Sequence, residues 1–525
     1  MPYTPLNLKK TADRISQFGR DSLKIAVQNK IDIYNDNWKD QLLQELRGQF
    51  SLKTWERLKL LASIEFNIFK RVINMTSMVY KNPAMRRALL PTTEKPVEGV
   101  KVAPKEDQNY SDMIGASDIN AVMPQVNRMV NATNQVLVRP VVRDGRMEVD
   151  MFTFSNAEII VDPDDWKRII GVKFYTGQSL PINYTYDETV ADKKADEKPT
   201  SKATDINQSA VSDYDKAIIF LLENKDAKGK YQDCMVYTMV NKNGVEYSET
   251  PPEKCDYKDK DGRPVIPFLL FWREYPTLEL LDFTTGNDLL DANMTFAMDM
   301  THLRYLKKFQ SYKVMTWRTR DKSKMPNTIT IDPGSLTVEE DSEGSGNTGL
   351  EVIDLQADIK SFWETNKDTL TTFLTNYNIS PENFTMSGNP QSGFAAKISR
   401  EGQMEARQAQ IPVYRERETA LFNVMRIVWN TDEPTKKISE DAKFDINFGE
   451  IDVPMSADEE MKQDTFDIQN NVITPIDIIQ RNDPDLDEKE AVEKYLKNKA
   501  FNSSQRGTLT PPEQPGNGVT EPDNT

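Results

Sequence analysis

Between Asn287 and Gln310 the chain reads NDLLDANMTFAMDMTHLRYLKKFQ, without proline or glycine, and Leu289, Phe296 and Leu303 recur seven residues apart with Met300 and Leu306 beside them. That spacing lays one apolar stripe on a helix. Asp288 and Asp291 fall in its first turns and Arg304, Lys307 and Lys308 in its last, the order of charge that the helix dipole favours. A second periodic run opens at Asp354, which reads as an N-cap. It sets Leu355, Ile359, Phe362, Leu370, Phe373 and Tyr377 within about 80° of arc, and Ser380-Pro381 ends it. Between the two runs lie a β-branched stretch, Asn327 to Val338, and a flexible segment, Glu339 to Gly349. Two narrow-striped helices joined by a small β-rich tip cannot bury themselves as a lone pair. The pattern calls for neighbours, elsewhere in the chain or on other copies of it.

The same periodicities order the rest of the chain. Leu8 to Tyr34 and a run from Ser51 to Pro83 read as helices, the latter with Leu58, Leu61, Ile64 and Ile68 on one face. A helix from Asp112 leads to Asn134-Gln135. A β section follows, with Asp144-Gly145 as a hairpin turn inside Val136 to Phe154, strands at Ala157 to Val161, Gly171 to Tyr175 and Ile218 to Leu222, and a second turn at Asn243-Gly244. The charged insert 187–212 has the composition of a mobile loop. After the central hairpin a third helix runs from Ser392 to Asn430, and Pro412 inside it predicts a kink, because proline removes a backbone donor and crowds the preceding turn. Asp441 to Phe448 reads as a strand, Ser456 to Glu459 as a capping box, Thr474-Pro475 with Asp477 as a helix start, and Asp487 to Lys499 as a last helix before a disordered tail.

Composition narrows the chemistry. A chain of 525 residues with 38% hydrophobic content holds more than one core. A formal charge of −16 disfavours an ordinary nucleic-acid binder, which needs a basic footprint, while leaving room for a surface that must not stick to DNA. Cys234 and Cys255 are the two cysteines; they have no metal-ligand spacing, and although a disulfide is geometrically conceivable they read as reduced thiols. No apolar run is long enough to span a bilayer and the N-terminus lacks a signal-like apolar region, so the protein is expected to be made in the cytoplasm with no membrane partner. There is no Walker-type motif, and the single histidine, His302, rules out paired-histidine zinc sites and makes a triad implausible. Gly344 to Gly349 matches a dinucleotide-binding string, but Glu339, Glu340, Asp341 and Glu343 would repel a pyrophosphate, so the segment reads as a turn. No catalytic residue, metal site or cofactor is assigned.

Taken in order, a helical N-terminus, a β-rich section, helix, small β tip, helix, polar loop, long kinked helix and acidic helical end resemble the portal proteins of tailed bacteriophages. The stretches that carry the likeness are IEFNIFKRVINMTSMVYKNP (64–83), VIPFLLFWRE (265–274), GNDLLDANMTFAMDM (286–300), SGFAAKISREG (392–402) and the ending from Phe448 to Leu496. The match rests on order over about residues 10 to 500, with no single diagnostic motif. It implies an α+β, mainly helical portal-type fold: a wing at 1–283, a stem helix at 284–310, a clip at 311–353, a second stem helix at 354–377, a tunnel loop at 378–391, the long kinked wing helix and a strand at 392–456, crown helices at 457–500, and a tail at 501–525. The tunnel loop would present Glu382, Asn383, Phe384, Thr385 and Met386.

The resemblance further implies a homo-oligomer, usually of twelve copies, at one capsid vertex of the virion. It would contact the major capsid protein, pass double-stranded DNA during packaging and ejection, and dock the terminase large subunit and later the head-tail adaptor protein at the clip. It would not be an enzyme. Lys307, Lys308, Lys313, Arg318, Arg320, Lys322 and Lys324 cluster near the tip, where they either meet DNA or the docked motor or simply neutralise neighbouring acids. The competing reading is a helical scaffold or adaptor, outside any phage, that assembles through the same seams without a channel.

Overall fold

The computed structural model describes residues 21–47, 55–56, 58–62, 64–91, 105–175, 216–227, 229–242, 245–248, 250–277, 279–310, 314–319, 336–340, 349–353, 358–380, 393–451, 457–483 and 487–505. They form two compact units, one of residues up to 387 with 399–451, the other of 388–398 with 452 onward.

The first unit opens with α1 (Asp21–Tyr34), α2 (Lys39–Arg47) and α3 (Ile68–Thr76). Sequence periodicity joined residues 51–83 into one helix, yet 59–62 and 64–67 are irregular and α3 starts afresh after Asn67. The reason is capping. The Asn67 side chain accepts from the Lys70 amide at 2.8 Å, and its amide group donates to the Ile33 carbonyl, which a mid-helix asparagine would not do.

Strand β1 (Met85–Leu89) precedes α4 (Gln108–Ala116) and α5 (Ile119–Thr133), two helices where one was expected. Asn134 ends α5 in the left-handed region, φ 70°, as an αL cap. The hairpin of β2 (Gln135–Arg143) and β3 (Arg146–Phe152) then turns at Asp144-Gly145, both with positive φ as a tight two-residue turn requires.

A six-stranded antiparallel sheet follows: β4 (Ala157–Asp162), β5 (Asp165–Tyr175), β6 (Lys216–Lys225), β7 (Tyr231–Lys242) and β8 (Val245–Ser248) lie in that order, and β9 (Glu253–Lys254) pairs with β7. Gly171 lies mid-strand in β5, where a Cβ would sit 2.7 Å from the Ile160 Cδ1 and 3.0 Å from the Leu221 Cδ1; a close approach of neighbours explains the glycine. The insert 187–212 lies outside the described residues. Strand β10 (Leu269–Trp272) joins β2 and β3 in a three-stranded sheet.

Next come α6 (Asn287–Gln310), β11 (Val314–Thr319), β12 (Leu336–Glu340), β13 (Gly349–Ile353), α7 (Ile359–Asn376), α8 (Gly393–Asp432) and β14 (Lys443–Asn447). Strand β14 pairs antiparallel with β1, joining the segment after α8 to the segment after α3. Pro412 lies exposed inside α8, where it removes one backbone donor.

The second half of α8 is held by buried polar contacts as well as by packing. Arg86 meets both carboxylate oxygens of Glu418, Tyr80 donates to the same group at 2.6 Å, and Asn127 donates to the Tyr414 hydroxyl at 2.8 Å. Around them pack Tyr110, Met123, Phe271, Leu421, Phe422, Met425 and Trp429. A second core fills the six-stranded sheet, and a third joins α1–α3 to α6 and α7.

The second unit comprises the start of α8, residues 393–398, with α9 (Ala457–Gln469), α10 (Pro475–Asn482) and α11 (Glu488–Gln505). Thr474 and Asp477, read in the sequence as a helix start, also form a reciprocal capping box, whereas Ser456 of the capping box expected at Ser456 to Glu459 lies outside the described residues. Helix α11 runs six residues past Lys499, so the tail expected from 501 is helical as far as Gln505; residues beyond lie outside the described set. Helix is the larger share but the sheets are substantial, and the chain is α+β.

Candidate functional site

The sequence pointed to the α6–α7 hairpin and its tip, and the site is built there. Helix α6 has the bounds its pattern predicts, but its buried line is Leu289, Asn293, Ala297, Met300 and Thr301; Phe296, Leu303 and Leu306 are half-buried. The line includes a polar residue because Asn293 serves another helix. Its Oδ1 accepts from the amides of Ile68 at 2.8 Å and Phe69 at 3.2 Å, two of the unpaired donors at the start of α3. No periodicity in the sequence marks that role, since the partners are more than 220 residues away.

The base of the hairpin is tied down by the segment ahead of α6. Lys30 is fully buried and its Nζ donates to the Phe283 carbonyl at 3.2 Å and the Thr285 carbonyl at 3.0 Å. Burial brings its ammonium down to about 8, with Asp282 opposing and Arg273 assisting that fall. Burial would raise the Asp282 carboxyl, but hydrogen bonds from Thr285 and Thr284 outweigh it and hold the group at about 2. Across the hairpin, the Tyr377 hydroxyl donates to both carboxylate oxygens of Asp288 at 2.8 and 2.9 Å, fastening the end of α7 to the start of α6. Burial, then the bond to Asp288, pushes that phenol well up.

Helix α7 has its N-cap at Asp358, four residues after the predicted one, where the side chain accepts from the Ser361 amide at 2.9 Å; Asp354 and Leu355 lie outside the described residues. Its apolar stripe is incompletely covered. Ile359, Phe362, Leu370, Phe373 and Tyr377 are half-buried, Trp363 is 42% exposed, and Asn366 and Leu374 are the buried members. Its outer surface is threonine-rich. Thr365, Thr369, Thr372 and Thr375 each donate to the carbonyl four residues back, at 2.9, 3.0, 3.0 and 2.9 Å, which turns the hydroxyl donors away from solvent.

At the tip, β11 lies between β12, parallel to it, and β13, antiparallel to it. Of the basic cluster, Lys307 and Lys308 are exposed in the last turn of α6 and Arg318 lies in β11 opposite Glu339 of β12 and Gly349 of β13. Lys313, Arg320, Lys322 and Lys324 lie outside the described residues, as do Glu382, Asn383, Phe384, Thr385 and Met386 of the predicted loop. Gly349, the last glycine of the dinucleotide-like string, opens a strand where such a motif would open a helix. His302 lies half-buried on α6, and among the described residues no group of three or more His, Cys, Asp or Glu side chains is placed to hold a metal. Nor is any described helix long and apolar enough to cross a membrane.

No family model matches the sequence, and no curated protein matches it.

Proposed function

We propose that the chain is a portal protein, a non-enzymatic subunit of a ring of twelve copies that sits at one capsid vertex of a tailed-phage virion and conducts double-stranded DNA. The observation that carries the reading is the hairpin: two helices joined through a three-stranded tip, one of them with an apolar stripe that its own chain leaves half covered and with Trp363 open to solvent. A rotated identical subunit is the simplest cover for such a stripe, because rotation brings the same helices edge to edge at every joint. The order of elements on either side, from the β-rich section to the long helix α8, agrees with the family's order of wing, stem, clip and wing.

Charge supports the same reading. Twelve copies at −16 carry roughly −190, a wall from which duplex phosphate is repelled. A helix face of self-satisfied threonines adds few donors that would grip phosphate. In this scheme the 311–353 tip docks the terminase large subunit and then the head-tail adaptor protein, the wing meets the major capsid protein, and no cofactor is needed.

The test is to image the purified full-length chain by negative stain and weigh it by light scattering. A closed ring with a central hole wide enough for a duplex is the expected result. A persistent monomer, or an open filament, overturns the proposal.

A further inference from the structure

Cys234 and Cys255 are 21 residues apart in sequence and meet across two strands of the large sheet. The register of β7 with β9 pairs Met235 with Lys254 and Val236 with Glu253, so the next step sets Cys255 opposite Cys234. The Cys255 amide donates to the Cys234 carbonyl at 2.8 Å, which makes this a hydrogen-bonded pair, with Cα atoms about 5.5 Å apart in ordinary antiparallel geometry. Disulfides span Cα separations of roughly 4.4 to 6.8 Å, a range that includes the ordinary spacing of such a pair. Residues directly opposite one another project to the same face, so the two thiols lie on one side of the sheet. Both are thiols here, buried in the core of the sheet.

We propose that this pair is an oxidation site, which a hydroperoxide converts into an intrachain Cys234–Cys255 disulfide that staples β9 to β7. The Cys255 sulfur is the attacking one. The hydrogen bond it receives from Cys234 favours its thiolate, whereas that same contact and burial push the Cys234 thiol up. The Cys255 thiolate attacks one peroxide oxygen and the O–O bond breaks, leaving a sulfenic acid and hydroxide. The Cys234 thiol gives up its proton to that hydroxide and its sulfur attacks the Cys255 sulfur; the S–O bond breaks, and the departing hydroxide takes up a proton as water. Overall, two thiols and one hydrogen peroxide give one disulfide and two waters.

Access comes through β9, which is two residues long with both side chains exposed, and which a local opening detaches far more readily than it does the long strands. Once formed, the bridge closes a loop of about 20 residues and so removes freedom from the unfolded chain. It also secures the segment that follows, where the Tyr257 hydroxyl donates to Asp432 at the end of α8, at 3.1 Å.

The experiment treats the folded full-length protein with hydrogen peroxide, then denatures it and counts thiols with an alkylating label. The expected result is a fall from two labels to none, an intact mass lower by two hydrogens, a Cys234–Cys255 cross-linked peptide, and a rise in Tm that a dithiol reductant reverses. Retention of both labels overturns the proposal, as does oxidation to sulfinic acid or a bridge between chains. Cys255→Ser should abolish the rise in Tm; because the wild-type thiol count and peptide map decide the matter, a variant that fails to fold changes nothing.

Discussion

Lys30 shows how much of this molecule is set by single buried polar groups. Its ammonium is held at about 8, below its ordinary 10.5, because the loss of water on burial outweighs the two carbonyls it meets and the Asp282 and Asp288 carboxylates. Between those two values the unfolded chain binds more protons at this site than the folded one, so the site's contribution to stability grows as pH rises from about 8 towards 10.5 and is flat below. Comparing denaturation midpoints of the wild type and Lys30→Met across that window isolates the effect. The gap should shift in favour of the wild type with rising pH, and a gap that stays constant would show that Lys30 is not desolvated. Its sequence neighbourhood gave no hint of this: in DSLKIAVQNKIDIY the lysine reads as a solvated residue on a helix, and the carbonyls it holds lie more than 250 residues further on. Cys234 and Cys255 tell a similar story, since the sequence left a bridge conceivable and strand register was needed to bring them face to face.

Among the elements, α6 was legible to its last residue because the run lacks breakers and carries opposite charges at its two ends. The start of α7 was not, because Asp354 and Asp358 are equally good caps on paper and Leu355 happens to fit the stripe. The break ahead of α3 was missed for a different reason: part of the capping of α3 comes from Asn293 on α6, and local pattern carries no trace of a tertiary cap. Asn293→Ala leaves the Ile68 and Phe69 amides buried without that acceptor, which should cost about 1 to 3 kcal/mol in urea denaturation and speed hydrogen exchange at those two amides. Exchange that remains as slow as in the wild type would mean that α3 caps itself through Asn67 alone. The candidate tip was legible as β-rich, but its strand order, with β12 parallel and β13 antiparallel to β11, follows from no local signal.

For the whole molecule, the question is whether α7 is finished by the chain that carries it. Trp363 is the residue to ask, because it is exposed on that helix and belongs to none of the buried cores among the described residues. Exposed positions of this kind usually tolerate substitution within about 0.5 kcal/mol, so Trp363→Ser should leave the fold of the individual chain intact. If identical copies close around a channel, the indole is repeated at every joint, and each loss is multiplied by the number of joints. Replacing it should then move the protein from ring to smaller species in size-exclusion chromatography with light scattering, while the circular dichroism of the dissociated chain stays that of the wild type. Rings that persist at wild-type concentration would place Trp363 off the joint and remove the main structural support for assembly through α7. A variant that loses helical signal as well would show that the tryptophan stabilises its own chain, and the incomplete stripe would then need a different explanation from a neighbouring subunit.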